Sequence, residues 1–173
     1  MIREATASDQ SAIRGLYLAA FQASEREEVA ALAQTLLADA TSHLHLLAEE
    51  DQTAIGHVSF SPVYSQSTGD LLGSLLAPLG VIPNHQGRGV GSALVREGLK
   101  RLPRLGIRRA FVYGDPDYYG RFGFTAQAAL PFTPPFPLSY PEGWLALTLT
   151  DEENQPAPTA FKCAPAFQNP DLW

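Results

Sequence analysis

Apolar residues recur at helical spacing over two early segments. In "SDQSAIRGLYLAAF" Ile13, Leu16, Tyr17 and Ala20 fall on one face, with Ser8 or Asp9 in position to cap the start. In "SEREEVAALAQTLLADA" Val29, Leu32, Leu36 and Leu37 keep the same period, and Ser24 stands three residues before Glu27, which is capping-box spacing. Two helices are predicted, preceded by a short strand over "MIREA", where apolar and polar positions alternate. "SHLHLLAEE" and "AIGHVSFSPV" read as strands joined by the polar turn "DQTA", an antiparallel hairpin. "DLLGSLLAPLGVI" is apolar almost without interruption, as a strand buried on both faces would be. The glycine-crowded turn "HQGRGVG" leads into a helix carrying Val90, Leu94 and Leu99. "IRRAFVYG", entered by way of Gly106, is a further strand, so helix and strand form a crossover unit. A short helical turn covers "PDYYGRF", "LPFTPPFPLSYPEGW" is too rich in proline for regular structure, and "WLALTLT" alternates as a strand. The order predicts an α+β fold with a mixed sheet, held in one domain over residues 1–173, with a proline and aromatic loop at 130–144.

Composition narrows the function classes. Over 173 residues, 45% hydrophobic and 17% charged composition suits a globular core. The net charge of −6 argues against a nucleic-acid partner, which needs a basic face, and is compatible with a cationic or amine-bearing one. Cys163 is the single cysteine, so neither an intrachain disulfide nor a thiolate metal cluster is expected. His43 and His45, two apart on one strand, lack a third ligand type, and no metal is expected there. "MIREATASDQ" carries no secretory signal, and no segment reaches the roughly 20 apolar residues of a membrane helix. The expectation is a cytoplasmic protein with no membrane partner.

Gly87, Gly89 and Gly91 alternate with Arg88 and Val90 just before the third helix. Glycine lets the chain turn tightly and lets backbone N–H groups approach a ligand. The free amides and positive dipole end of a helix start favour an anion, and a pyrophosphate is the natural guest, with Arg88 able to add a charged hydrogen bond. A Walker loop is nearly excluded, because Ser92 follows Gly91 with no lysine. The G-x-G-x-G spacing fits a dinucleotide fold poorly. A tight strand-to-helix turn without a ligand stays open on these residues alone.

The run "LAPLGVIPNHQGRGVGSALV" resembles the central motif of the Gcn5-related N-acetyltransferase (GNAT) superfamily, Q/R-x-x-G-x-G/A after a strand, with Gln86, Gly89 and Gly91 at its fixed positions. "YYGRFGF", Tyr118 to Phe124, resembles the second signature of that family, and "GDPDYYGRFGF" as a unit is similar to the bacterial YhbS-type branch. The likeness covers Met1 to Phe124 in element order and is specific over Leu76 to Phe124.

That resemblance implies a GNAT-like fold with a mixed, mostly antiparallel central sheet flanked by helices, followed here by a proline-rich C-terminal region. It implies acetyl transfer from acetyl-CoA, as co-substrate, to an amine by direct attack in a ternary complex. Gln86 and the amides of Gly87, Arg88, Gly89, Val90, Gly91 and Ser92 would then hold the pyrophosphate. The backbone of Leu79, Gly80 and Val81 would pair with the pantetheine arm, and the Val81 amide or a neighbour would polarise the thioester carbonyl. Tyr119 is the candidate general acid for the departing thiolate, with Tyr118 in reserve or simply packed. Asp115 caps the short helix or touches the cofactor arm or acceptor. Glu25, Glu27, Glu28 and His57 are the candidates for a base, set against capping, solvated-face and packing roles. Phe132, Phe136, Tyr140 and Trp144 would line an acceptor pocket, cover a sheet edge or make a homodimer contact. The acceptor is a small molecule, or a protein or peptide, bearing an amine. The same turn also fits a non-catalytic acyl-CoA binding or sensing module.

Overall fold

Both helical periods become helices, α1 (Gln10–Ala20) and α2 (Arg26–Ala38), in a computed structural model that describes residues 1–151 and 157–173. Asp9 stands at the α1 N-cap as expected, but neither helix makes a side-chain cap bond. Helix α2 has Glu25, not Ser24, at its N-cap position and makes no side-chain cap bond there. Asp9 stands at the N-cap of α1 but its carboxylate serves Arg3, whose Nη1 and Nη2 donate at 2.9 and 2.8 Å, and the Thr6 N–H at 2.7 Å. Arg3 also donates to Glu49, and the Arg3 bond first of all holds the Asp9 carboxyl well below the usual carboxylate range.

The strands are β1 (Ile2–Glu4), β2 (Leu44–Glu50), β3 (Thr53–Ser65), β4 (Leu71–Val81), β5 (Arg109–Tyr113), β6 (Phe132–Thr133), β7 (Trp144–Thr148) and β8 (Thr159–Lys162). The remaining helices are α3 (Val90–Arg101), α4 (Pro116–Tyr119) and α5 (Ala126–Ala129). The hydrogen-bonded order is β1-β2-β3-β4-β5-β7, with β8 against β3 and β6 against β8. Pairs β1/β2, β2/β3, β3/β8 and β5/β7 are antiparallel, while β4/β5, separated in sequence by α3, is parallel, as is β6/β8. The fold is thus α+β with a mixed, mostly antiparallel sheet. Among the described residues no helix is long and apolar enough to cross a membrane.

The chain divides into two compact units, Met1–Phe60 with Ala77–Gly98, and Ser61–Leu76 with Leu99–Trp173. In the first, Ile13, Leu16, Tyr17, Ala30, Ala33 and Leu47 form a buried cluster that gathers the apolar faces of α1 and α2. The β2–β3 turn is tighter than "DQTA" suggests. Only Asp51 and Gln52 connect the strands, with φ of 49° and 63°, the left-handed pair of a two-residue hairpin. Helix α3 approaches its neighbours through glycine. A Cβ at Gly56 would lie 2.8 Å from Val90 and 2.9 Å from Leu94, and a Cβ at Gly98 would run into the ring of Phe60.

The second unit is built on aromatic rings. Phe111 meets Phe132 and Phe161 edge-on at 4.8 Å each and stacks on Trp144 at 5.9 Å. Trp144 Nε1 donates to Phe132 O at 2.9 Å, and Trp173 Nε1 to Phe167 O at 3.1 Å. Phe132 and Trp144 are therefore core residues rather than pocket walls, and the proline-rich segment contains a strand, β6. Its proline-free dipeptide, Phe132–Thr133, is what pairs with Thr159–Ala160.

Candidate active site

The turn between β4 and α3 has its amides free. Gly87 and Gly89 adopt φ of 71° and 85°, which L-residues rarely hold, and a Cβ at either would meet nothing within 4 Å. Backbone conformation, not crowding by the protein, makes glycine necessary at both. Gln86 N–H donates to Pro83 O, and the next amide with a backbone partner is that of Ala93, which donates to Gly89 O at 2.9 Å. Among the described residues, the amides of Gly87, Arg88, Gly89, Val90, Gly91 and Ser92 have no intrachain acceptor. They open a 12-residue helix with no acidic side chain in its first turn, so its positive dipole end is unopposed.

Side chains brace this turn. Gln86 Nε2 donates to Val81 O at 2.9 Å, tying the turn to the last residue of β4. His85 Nε2 lies 2.7 Å from Glu50 Oε2, and Arg88 Nη2 lies 3.8 Å from Glu50 Oε1, with more than half of the Arg88 side chain exposed. The His85 contact, then Arg88, holds the Glu50 carboxyl below its usual range. A cavity of about 250 Å³ adjoins the turn, between Arg88, Gly89, Val90 and Ala93 on one side and Ala48 and Ile55 on the other.

The strand entering the turn is not buried on both faces throughout. Gly73 to Leu76 are buried, but from Ala77 onward alternate residues are only half-buried, Leu79 and Val81 among them. Gly80 faces inward, where a Cβ would lie 2.7 Å from Tyr17 Cε1 and 3.1 Å from Leu16 Cδ2. The Tyr17 hydroxyl donates to Pro78 O at 3.1 Å and lies 3.0 Å from His57 Nδ1. His57 is fully buried, its ring stacked at 5.8 Å on His45, whose Nδ1 meets Ser59 Oγ at 2.9 Å. Burial, before any other cause, pushes the His57 imidazole down to about 3, so it is neutral at physiological pH. Enclosed in this way, His57 supports the strand and is withdrawn as a base for an incoming amine. Glu25, Glu27 and Glu28 are exposed, with Glu27 accepting from Arg14 Nη2 at 2.7 Å.

In the second unit Asp115 caps α4, its Oδ1 accepting the Asp117 N–H at 2.9 Å. Tyr119, last in α4, lays its ring on Gly114, where a Cβ would sit 2.5 Å from Cε2, and meets Phe124 edge-on at 5.9 Å. Its hydroxyl makes no hydrogen bond with the described residues, and its pKa lies well above the usual phenol value through burial, then the charges of Tyr118 and Asp115. Tyr118 is held as packing, with Arg121 4.5 Å over its ring and Phe122 edge-on at 5.5 Å.

A cavity of about 330 Å³ lies where β5 ends, lined by Tyr113, Gly114 and Asp115 and by Tyr140, Glu142 and Gly143. The Tyr140 N–H donates to Tyr113 Oη at 2.8 Å, and the Gly114 N–H to Gly143 O at 2.9 Å. Sequence reasoning singled out Asp115 and Tyr140 but missed Tyr113, Glu142 and Gly143. Their one local sign is Gly143, needed because a Cβ there would stand 2.9 Å from Gly114 O. Phe136 lines a different cavity, of about 730 Å³, with Pro134, Pro135 and Lys162. Among the described residues no three His, Cys, Asp or Glu side chains gather as a metal site.

The chain matches the Acetyltransferase (GNAT) family over residues 11–124. It is 36% identical over 149 residues to the Uncharacterized N-acetyltransferase YjhQ of Escherichia coli strain K12, covering 83% of this chain and 81% of that one. Its structure is similar to that of the GNAT family N-acetyltransferase YhbS from Escherichia coli in complex with CoA, with a TM-score of 0.87 and 29% identity over 98% of this chain and 92% of that one. A GNAT family acetyltransferase from Brucella melitensis in complex with acetyl-CoA superposes with a TM-score of 0.78 and 31% identity, covering 96% and 97% of the two chains.

Proposed function

The chain belongs to the acetyltransferase (GNAT) family, and on that premise we propose that it moves an acetyl group from acetyl-CoA to an amine by direct attack in a ternary complex. The observation that carries this reading is the run of unpartnered amides from Gly87 to Ser92 at the start of α3. Six consecutive unpaired donors suit a diphosphate, and the open space at Gly87 and Gly89 leaves room for its oxygens. Arg88, more than half exposed beside Glu50, adds a positive charge at the rim. The half-buried edge of Leu79 and Val81 is suited to an extended pantetheine arm, with the Val81 amide as a donor to the thioester oxygen.

The acceptor nitrogen attacks the thioester carbon. A C–N bond forms, the C–S bond breaks, the surplus proton leaves the nitrogen for solvent or a base, and coenzyme A departs as thiolate. Tyr119 is assigned to that thiolate. Its raised pKa keeps the hydroxyl protonated at every physiological pH, so it always presents a donor. A thiol pKa near 8.5 lies below that of the tyrosine, so hydrogen-bond donation to the sulfur, rather than complete proton loss, is the stabilising event as the bond breaks. Tyr118 takes no part in the chemistry.

Titration calorimetry with acetyl-CoA, followed by release of free coenzyme A against a panel of amines, tests the reading. Saturable binding with amine-dependent release is expected. Binding without release on any amine, and without slow thioester hydrolysis, would make the chain an acyl-CoA binding module instead.

A further inference from the structure

The cavity at the end of β5 has a consistent chemistry. Among the described residues its only charged lining groups are the carboxylates of Asp115 and Glu142, with no Lys or Arg in the lining. Asp115 is partly committed to its cap, whereas Glu142 makes no hydrogen bond or ion pair with the described residues. Two aromatic rings stand beside the carboxylates. Tyr113 is fixed from behind by stacking on Trp173 at 6.2 Å, and Tyr140 remains 68% exposed. The walls are set in advance, because Tyr113 Oη accepts the Tyr140 N–H, the Gly143 N–H donates to Tyr140 O, and Gly143 abuts Gly114 O. One residue links the cavity to the proposed donor, since Gly114 lines it and carries the ring of Tyr119.

We infer that this cavity is the acceptor subsite and takes up a small primary amine in its cationic form, with Glu142 facing the ammonium and the Tyr113 and Tyr140 rings flanking it. One ammonium proton leaves to solvent before the free amine attacks, and the second leaves after the C–N bond forms. An ammonium over an aromatic face gains about 0.5–2 kcal/mol, and an unpaired carboxylate adds charge selection. A volume of about 330 Å³ is at the low end for ligand pockets, which suits a small molecule rather than a folded protein surface. The inference rests on the acetyl-transfer reading above and deepens it by naming the class of acceptor.

The test compares tyramine and putrescine, both cationic, with glutamate, an amine of net negative charge, in the full chain and in Glu142→Gln, Glu142→Asp and Glu142→Lys. Expected is a kcat/KM at least tenfold higher for the cationic amines, lost in Glu142→Gln through a raised acceptor KM, partly restored in Glu142→Asp and reversed toward glutamate in Glu142→Lys. Acetyl-CoA affinity by calorimetry and the melting temperature should stay constant across the series. An acceptor KM that moves less than twofold in Glu142→Gln and Glu142→Lys overturns the inference while leaving acetyl transfer intact. If no amine is acetylated the transfer reading fails first, and titrating tyramine into the CoA-loaded chain decides the pocket separately. Heat that depends on Glu142 upholds it, and no heat overturns it.

Discussion

Tyr119 carries its packing and its proposed chemistry on different atoms. The ring rests on Gly114 and Phe124, while the hydroxyl has no partner among the described residues. Tyr119→Phe should therefore keep the melting temperature and the affinity for acetyl-CoA but lower turnover by about 10²-fold, the usual worth of one positioned donor. Undiminished turnover would remove Tyr119 from the mechanism. Two glycines make a complementary pair. Gly80→Ala drives a Cβ to 2.7 Å from Tyr17 and should cost about 1–3 kcal/mol in unfolding free energy with the turn itself unaltered. Gly89→Ala meets no neighbour, yet its φ of 85° costs about 1–2 kcal/mol at the turn that carries the free amides. Of the two, only Gly89→Ala should weaken acetyl-CoA binding at the phosphates, because it strains the backbone that presents the free amides; this is seen as a weaker salt dependence of affinity.

Elements show where local chemistry is not optimal. The β2–β3 hairpin places Gln52 at φ 63°, a conformation glycine holds without strain. Gln52→Gly should raise stability by about 0.5–1 kcal/mol, read from urea midpoints. The β2–β3 pair also buries His57, whose folded pKa near 3 lies below the 6.5 of an unfolded histidine. The unfolded chain binds the extra proton between those values, so stability falls as pH drops from about 6.5 toward 3, by up to about 1.4 kcal/mol per pH unit, and this group has no effect above 6.5. Imidazole nitrogen shifts should show His57 still neutral at pH 5, and a protonated ring there would refute the burial argument. The Asp9 carboxylate, held low by Arg3, adds its own loss, which begins where a free carboxylate takes up its proton, near 3.8, and continues as pH falls toward the lowered folded value.

At the scale of the molecule, the aromatic core of the second unit and the cavity at β5 depend on Trp173. Its ring backs Tyr113, meets Trp144 at 6.0 Å and Phe167 at 6.4 Å, and Ser139 Oγ donates to its carbonyl at 2.9 Å. Trp173→Ala should cost about 3–5 kcal/mol of stability and release Tyr113, so a melting shift and a raised acceptor KM should appear together. Whatever is encoded by near neighbours was legible in the chain. Helical period placed α1, α2 and α3, alternation placed β1 and β7, and the glycine spacing marked the tight turn before α3, because each depends on contacts within a few residues. Asp9 was rightly placed at the α1 N-cap, but Arg3 takes its carboxylate, and at α2 the N-cap is Glu25 rather than Ser24. The roles of Phe132, Trp144, His57 and Glu142 were hidden for the same reason. Whether an aromatic ring is core or pocket wall, and whether a carboxylate faces a cavity, follows from partners tens of residues away, and one-dimensional order holds no record of which distant side chains will share a volume.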